Sequence, residues 1–592
     1  MAIRYLAVVD SQCDRRRAIA VTAARTTGLL VSFDQGCLTL LTSSPTPVLE
    51  SADSNVVVVG DLFTRGPNAP SSATVRPNMT ASELLRERWG AYVAFIGVAN
   101  GLPQILRDPS GALPCFYTTV GTKVFASDAG IISAAGLLEA TIDWQQLAWH
   151  LGAGDLLNSQ TCLRGVHELL AGHILSPAGQ TWEMTQAWSP WNHVRQRSGL
   201  TIDGAASELR ETVLACVRAW TSRYSKPLLS VSGGLDSSIL AAAFIEAGAD
   251  LECYTMFTDD PDGDERHYAC IIADHLGFHL HEASYDSAAI DACRTSAGHL
   301  PRPAGQFYAQ AQRSVAANLG ADLATEVFAS GMGGDHVFCY LPSASLLVDR
   351  IRSEHSLRGL IRSIDDLHRV TGSSFGKIAS RLLSRRCWEP RAANWKDGGL
   401  FLSREALRHV DAPLHPWLAA PAGFLPGKHR HIDMLARVQP YIDSYSHPQL
   451  APALSPLLSQ PILECCLAIP TWMWCAGGQD RSIARRAFAP LLPKAIVSRR
   501  TKGGPDAFAL SALESRRGEL NAFLESGRLA AAGIIDLPSI RNALLGRSPL
   551  RPPASQALYW IAGAEAWARS WEERNDEPSV TPHETVLTFP QG

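Results

Sequence analysis

The chain has 592 residues, more than one hydrophobic core of about 250–300 residues supports, so its length predicts two domains or three. Hydrophobic residues make up 46% and charged residues 19%, a composition that is typical of folded globular proteins and excludes an intrinsically disordered chain. The net charge of −4 argues against nucleic-acid binding, and the lack of any run of about 18 uncharged apolar residues argues against a membrane span.

The first 200 residues contain short β-prone runs separated by Gly, Pro, Asn and Asp. The apolar start of the chain is too short for a signal peptide and predicts a first strand at Tyr5–Val9. Further strands are predicted at residues 56–59, 92–98, 102–106 and 123–127. Helices are predicted at residues 81–89 and 144–151, because Thr80 and Asp143 before them are good N-caps.

The amino-acid pattern changes near residue 200. From residue 205 onward apolar residues recur at helical spacing, and Ala- and Leu-rich helical segments dominate. We therefore predict one domain over residues 1–200 and a second over residues 201–570, followed by a flexible tail at 571–592. Thirteen scattered cysteines without a C-x-x-C pair predict the reduced thiols of a cytoplasmic protein, with neither disulfides nor a zinc site.

Residues 227–240, PLLSVSGGLDSSIL, carry the strongest chemical signal. A strand, a glycine-rich turn and a helix N-terminus form an anion cradle, because free backbone N–H groups point at phosphate oxygens. No Lys precedes Ser or Thr anywhere in the chain, which excludes a Walker-type phosphate loop. Asp236 could bind Mg²⁺, and hydroxyls could assist at Ser232, Ser237 and Ser238. The alternative is a purely structural turn, with Gly233 and Gly234 selected for backbone shape.

With this string the chain resembles the ATP-pyrophosphatase (PP-loop) superfamily and, more narrowly, the asparagine synthetase family. Further segments agree in the right order: RDPSG at 107–111, FASD at 125–128, DERHYACIIADHLG at 264–277 and SGMGGDHVF at 330–338. The resemblance implies a fold class of α/β and α+β. It implies an N-terminal glutaminase-like (Ntn-type) β-sandwich domain and a C-terminal PP-loop α/β synthetase domain that adenylates its substrate.

The same resemblance implies a site for ATP and Mg²⁺. Asp236 and Asp335 would hold the metal and would act in catalysis together with Lys502. The nucleotide would contact the glycine-rich turn and its neighbours, namely Leu229, Ser232, Gly233, Gly234, Leu235, Asp236, Ser237, Ser238, Met256 and Gly333.

A basic run supports this site. From Arg481 to Lys502 there are seven basic residues and no acidic one, which suits the charge that builds up on pyrophosphate and on a tetrahedral oxyanion. An exposed loop is the alternative for Lys502, and a solvated helix face is the alternative for Arg485 and Arg486. His336 is a candidate base but is left unassigned, because a peptide α-amine with a pKa near 7.7–8.0 is already partly neutral. Four aromatic residues are expected in the core rather than in a cavity: Phe307, Tyr308, Trp472 and Trp474.

Three departures from the asparagine synthetase pattern shape the expected function. Glutamine-hydrolysing members use an N-terminal Cys as nucleophile, whereas here Ala2 follows Met1 and the nearest thiol is Cys13. Met332 stands where asparagine synthetases carry Glu, and Ser459 stands where they tend to carry an acidic residue. We therefore expect a structural N-terminal domain and an amine that does not come from glutamine.

The closing segments most resemble lasso-peptide macrolactam cyclases. They read SPLLSQPILE at 455–464, GGQDRSIARRAFAPLLP at 477–493 and RTKG at 500–503. This resemblance implies adenylation of an Asp or Glu side chain in a leader-free precursor peptide. The peptide's own N-terminal amine would then close an isopeptide ring and release AMP. A companion leader peptidase is the expected protein partner.

Two other functions stay open on the sequence. The first is another amide-forming enzyme of the same fold, either one that closes a small molecule such as a β-lactam or an ammonia-dependent asparagine synthetase. The second is a non-catalytic relative that binds nucleotide. The presence of Asp236, Asp335 and Lys502 argues against the second.

Overall fold

The computed structural model describes residues 2–66, 73–194, 197, 199–258, 263–286, 290–304, 309–354, 356–389, 399–408, 415–444, 450–500 and 506–576. Within these ranges seventeen strands form three sheets, two of them before residue 187 and the third after residue 226. No helix of the described residues is long and apolar enough to cross a membrane.

The N-terminal strands form two six-stranded sheets. They are β1 (Tyr5–Val9), β2 (Leu30–Gln35), β3 (Leu38–Thr42), β4 (Val48–Glu50), β5 (Val56–Thr64), β6 (Arg88–Ile96), β7 (Gln104–Arg107), β8 (Phe116–Thr118), β9 (Lys123–Ala126), β10 (Val166–Glu168), β11 (His173–Ala178) and β12 (Thr181–Gln186). The strand orders are β10-β8-β9-β1-β3-β2 and β12-β11-β7-β6-β5-β4, with antiparallel pairing throughout.

These two sheets pack face to face. Tyr5 of β1, Val57 of β5 and Phe95 of β6 belong to one buried cluster between them. The next residue of β1, Leu6, points the other way and shares a different cluster with Ala20, since successive side chains of a strand alternate between faces. Both faces of β1 are thus covered, which is why all five of its residues are buried.

The C-terminal sheet is parallel. Its strands are β13 (Pro227–Ser230), β14 (Glu252–Phe257), β15 (Leu280–Ser284), β16 (Val327–Ser330) and β17 (Ala453–Leu454). Their order is β15-β14-β13-β16-β17, and all four pairings are parallel. The chain runs outward from β13 to β15 and then returns to the other side of β13. Ligands of such sheets bind where the strand order reverses, at the carboxyl ends of the strands.

Helices connect and cover the sheets. In the N-terminal part they are α1 (Cys13–Thr27), α2 (Ala81–Glu87), α3 (Ala129–Ala134) and α4 (Trp144–Ala153). They continue with α5 (Ile202–Arg223), α6 (Leu235–Glu246), α7 (Arg266–Leu276), α8 (Ala309–Asp322), α9 (Gly334–Val337), α10 (Ser345–Ser353), α11 (Leu357–Thr371), α12 (Phe375–Leu383), α13 (Arg404–Arg408), α14 (Pro426–Ser444), α15 (Gln460–Ala468), α16 (Ser482–Phe488), α17 (Lys494–Val497), α18 (Asp506–Glu514), α19 (Arg517–Glu525), α20 (Arg528–Ala531), α21 (Leu537–Leu545) and α22 (Pro552–Asp576).

The predicted fold class is confirmed, with an N-terminal β-sheet part and a C-terminal part of helices on a parallel sheet. The division near residue 200 stays a prediction: α5 begins just after it, but its buried face shares one cluster with the second antiparallel sheet. Trp472 and Trp474 are buried, as expected, whereas Phe307 and Tyr308 lie outside the described residues. All thirteen cysteines are free thiols.

Two predicted boundaries need correction. The helix predicted at 81–89 ends at Glu87, because the chain enters β6 at Arg88. The predicted tail begins too early, since α22 continues to Asp576 and the side chain of Trp571 is fully buried. A tryptophan in a polar segment is enough to anchor the end of a helix when it fills a core position. Residues 577–592 lie outside the described residues.

Candidate active site

The glycine-rich turn joins β13 to α6 and reads SGGLDSS from Ser232 to Ser238. Gly233 has a φ of +63°, and a Cβ there would lie 2.4 Å from Cβ of Tyr268. Only glycine fits such a position without strain. Gly234 is the N-cap of α6, and its N–H donates to Oγ of Ser232 at 3.3 Å. The turn therefore presents the N-terminus of a twelve-residue helix at the carboxyl end of the central strand.

A second glycine-rich loop follows the neighbouring strand, β16. Ser230 and Ser330 are register partners at the ends of the two strands, so the loops begin side by side. A Cβ on Gly331 would lie 2.8 Å from the backbone nitrogen of Ser237, and one on Gly334 would lie 2.4 Å from Cγ of Asp236. The missing side chains let the two loops touch, which brings Asp236 and Asp335 to one place.

Arg481 lies between these two carboxylates. Its Nη1 donates to Oδ2 of Asp236 at 3.1 Å and also to Oδ1 of Asp335. Its Nε donates to Oδ1 of Asp480 at 3.0 Å, and Arg485 donates to the same oxygen at 2.8 Å. Burial opposes the charge of Arg481, but the neighbouring carboxylates raise the pKa of its guanidinium above the ordinary value. The sequence placed Arg481 only at the start of a basic run.

The two carboxylates fit a magnesium site. Asp236 and Asp335 both supply the hard oxygen ligands that Mg²⁺ prefers. The guanidinium of Arg481 shows that a cation can lie between them. Mg²⁺ is usually held by one or two carboxylates, with phosphate oxygens and water completing its shell. The described residues contain no group of three or more His, Cys, Asp and Glu that could hold a metal. Asp236 and Asp335 would thus hold the ion jointly with nucleotide phosphates.

A cavity of about 680 Å³ opens beside the carboxylates. Seven of the predicted site residues line it: Ser232, Gly234, Leu235, Asp236, Ser237, Met256 and Asp335. Other lining residues were not predicted, among them Tyr254, Thr255, Glu265, Tyr285, Gln312, Arg313, Phe328, Tyr340, Leu450, Leu454, Arg499 and Arg500. The volume is within the range of about 300–1,000 Å³ that is typical of ligand sites.

Four predicted nucleotide contacts do not line this cavity. Leu229 and Ser238 are fully buried. Gly233 packs against Tyr268, and Gly333 packs against Leu458, whose Cδ2 would lie 2.6 Å from an added Cβ. These residues support the two loops through packing on the side away from the cavity.

The basic run divides into different environments. Arg485 is buried and donates to the backbone carbonyl of Val497 at 2.7 Å, so the solvated alternative does not hold for it. Arg486 does lie on the surface, where it pairs with Asp203 at 2.8 Å. Lys502 lies outside the described residues, and its role stays a prediction.

Arg499 is a cation that the sequence did not single out. Its Nη2 lies 2.6 Å from Oε1 of Glu265, and its Nη1 donates to the carbonyl of Ser232 at 3.3 Å. Its guanidinium stacks 3.8 Å from the ring centroid of Tyr268. Arg499 thus ties the segment before Lys502 to the glycine-rich turn. A pair of arginines shortly after a Pro break is the only sequence signal for it.

Two cysteines of the N-terminal part, Cys115 and Cys162, are buried. A nucleophilic cysteine needs a lowered pKa, since the thiolate is the reactive form. Burial instead raises the pKa of Cys115 to about 12, and burial also raises the pKa of Cys162. Neither thiol is activated.

Comparisons with known proteins place the C-terminal part of the chain in a family. The family model described as asparagine synthase matches residues 208–569, more than half of the chain. In addition, 79 chains of solved structures match. One is described as the allosteric regulatory enzyme of purine biosynthesis; it is 9% identical, covers 48% of this chain and 80% of its own, and has a TM-score of 0.21. No curated protein gives a significant match.

Proposed function

Because the chain belongs to the asparagine synthase family over residues 208–569, it is an ATP-dependent amide-forming synthetase, and we propose that the amide is the isopeptide bond of a lasso-type peptide. The enzyme adenylates an Asp or Glu side chain of a leader-free precursor peptide and releases pyrophosphate. The peptide's N-terminal amine then attacks the acyl carbon, and AMP leaves. Adenylation is needed because a carboxylate oxygen alone is too poor a leaving group at neutral pH.

Met332 carries this proposal. It lines the cavity in the loop that also holds Asp335, and its thioether cannot accept a proton from an ammonium ion. An enzyme that makes asparagine from ammonia needs such an acceptor, and the family pattern has Glu at this position. A peptide α-amine, with a pKa near 7.7–8.0, is partly neutral near pH 7.5 without help. The site therefore suits an amine that arrives deprotonated.

The cavity wall extends beyond the residues that are assigned to the nucleotide. Beyond the carboxylate pair its wall is apolar at Phe328, Leu450 and Leu454 and polar at Tyr285 and Gln312. A peptide whose two ends must meet loses much entropy on closure. Holding the amine near the activated carbonyl can supply roughly 7–11 kcal/mol of the barrier. We propose that this wall holds the folded precursor before the ring closes.

The residues around the turn have separate roles in this scheme. Backbone N–H groups at the start of α6 bind the phosphates. Mg²⁺, when held by Asp236 and Asp335, would neutralise phosphate charge during adenylation. Arg499 holds the glycine-rich turn in place, and Lys502 is our candidate for stabilising the pyrophosphate and the oxyanion. Loss of one such charge-stabilising donor typically costs about 2.7–4 kcal/mol of barrier.

A companion leader peptidase is part of the proposal. The attacking amine exists only after the leader has been cleaved, so ring closure requires a proteolytic step before it. A synthetic peptide that starts at the new N-terminus should replace the peptidase in a purified reaction.

The test is a reaction of purified protein with ATP, Mg²⁺ and a synthetic leader-free precursor. We expect AMP and a peptide lighter by one water. A peptide acetylated at its N-terminus is the matched control, because it can be adenylated but cannot close. Asparagine formed from aspartate and ammonium, or a closed small-molecule amide, would replace this proposal with the other enzymatic function. Product that forms as well with Asp236→Ala as with the wild type would not come from this site, and the protein would then be a non-catalytic relative.

A further inference from the structure

Arg481 is a buried cation that contacts both predicted metal ligands. Its Nη1 lies 3.2 Å and 3.1 Å from the two carboxylate oxygens of Asp236, and it also donates to Asp335. Its side chain is only 11% exposed, and its guanidinium lies 5.6 Å from the ring centroid of Tyr340. One buried guanidinium thus bridges the two acidic groups that the sequence assigns to Mg²⁺.

The backbone of Arg481 and the side chain of Asp480 hold this guanidinium in place. Arg481 has a φ of +49°, in the left-handed region, and it is the N-cap residue of α16. Its Nε donates to Asp480, whose carboxylate is fixed in turn by Arg485. A left-handed backbone at a residue other than glycine persists only where its surroundings impose it. The bridge is therefore built into the fold.

The bridge places a positive charge between the two carboxylates, where a metal held by both would lie. Gly334 of the second loop packs so closely that an added Cβ would lie 2.4 Å from Cγ of Asp236, so this side chain cannot move further toward that loop. Mg²⁺ binds oxygens at about 2.0–2.1 Å. An ion at that distance from both carboxylates would sit against the positive charge of Arg481, and the two cations repel.

We propose that Arg481 is an internal placeholder for the metal, which keeps Mg²⁺ out of the nucleotide-free site and yields only when nucleotide phosphates bring compensating negative charge. The metal then enters with the nucleotide and not before it. The inference rests on the proposed function only in its use of ATP with Mg²⁺. Arg481 acts here as a positioning residue, because its hydrogen bonds hold both carboxylates side by side until nucleotide arrives.

The test measures binding of Mn²⁺ to the full chain by electron paramagnetic resonance, without nucleotide. We expect Arg481→Met to bind one Mn²⁺ at least about tenfold more tightly than the wild type. Arg481→Lys should restore much of the exclusion, because an ammonium can also neutralise the pair. Arg486→Met is the matched control, because that side chain is exposed and pairs with Asp203, and it should behave as the wild type. With α,β-methylene-ATP added, the wild type should bind Mn²⁺ at this site as well.

Two results would overturn the proposal. One is equal Mn²⁺ binding by the wild type and Arg481→Met without nucleotide, whether tight or absent in both. The other is gained binding that survives in the double variant Arg481→Met, Asp236→Asn, since the ion would then sit elsewhere. The readout needs no peptide, so a failure here is separate from a failure to form the isopeptide ring.

Discussion

Trp220 of α5 packs edge-on against Phe63 of β5, with 4.8 Å between the ring centroids and 79° between the ring planes. The indole of Trp89 lies 5.9 Å away on the same side, and the indole N–H of Trp220 donates to Oγ of Ser459 at 3.0 Å. One aromatic side chain of the synthetase part therefore packs against residues of an N-terminal sheet. The N-terminal part serves as a wall of the shared core.

Trp220→Ala should destabilise the whole chain. The side chain is 3% exposed, and truncating a buried tryptophan typically costs about 3–5 kcal/mol. Urea unfolding should show this loss in the signals of both parts together. Trp182→Ala on β12 is the control, because Trp182 is only partly buried and should cost less than half as much. Loss of structure in the N-terminal part alone would contradict the shared core.

Glu168→Gln should be strongly destabilising. The carboxylate of Glu168, 1% exposed, binds Arg107 at 2.8 Å and also binds Arg302, which pairs in turn with Asp443. Removing one charge from a buried network leaves its partners uncompensated, which costs about 3–5 kcal/mol. Calorimetric unfolding should show this. Glu87→Gln, which breaks a more exposed pair with Arg76, should cost under about 1 kcal/mol; equal effects of the two substitutions would rule out a buried network.

Gly334→Ala should impair adenylation without unfolding the protein. The added methyl group would meet the carboxylate of Asp236 and displace it, and a displacement of about 1 Å in a site can cost roughly 100-fold in rate. ATP–pyrophosphate exchange in the presence of peptide measures the effect. Gly376→Ala is the matched control, because an added Cβ there meets nothing within 4 Å. Full exchange activity in Gly334→Ala would show that the close contact between the loops is unimportant.

His431 should make stability depend on pH. Its ring lies buried with Nε2 donating to the carbonyl of Val337 at 3.0 Å, and burial, helped by Lys428, lowers its pKa from 6.5 to about 3. Below pH 6.5 the unfolded chain binds a proton that the folded chain does not. Below pH 6.5, this group should therefore lower the free energy of unfolding by about 1.4 kcal/mol for each unit by which the pH falls.

The measurement compares the wild type with His431→Gln by urea unfolding at pH 7.5 and pH 5.5. The free energy of unfolding of the wild type minus that of His431→Gln should be about 1.4 kcal/mol smaller at pH 5.5 than at pH 7.5. Burial raises the pKa of Asp349 to about 6, which acts in the opposite direction. That group is common to both proteins, so the difference removes it. An advantage that does not change with pH would mean that His431 is charged in the folded state.

Much of the site could be predicted from local sequence, because its chemistry depends on short segments. The SGGLDSS and SGMGGD strings have glycines where the two loops meet, and close approach of backbones requires glycine there. The strands before them, β13 and β16, are short apolar runs, as expected of a parallel sheet buried on both faces. The sequence alone therefore marks both carboxylates as candidate ligands.

Other features depended on contacts between distant parts of the chain. The bridge from Arg481 to Asp236 spans 245 positions, and no local pattern distinguishes Arg481 from Arg486 in the same basic run. The buried anchor Trp571 had the polar neighbours of a tail, and only its packing in the core shows that the helix continues to it.

The sequence by itself determined which residue types could bind phosphate and metal, because turn geometry and helix N-termini follow from a few adjacent residues. Only the tertiary structure decided which cation lies between the two carboxylates and which half of the chain covers which sheet. Those pairings result from burial, and burial depends on how elements far apart in the chain fill one another's surfaces. The length that predicted two domains thus resolves into two parts whose buried side chains meet in a common cluster.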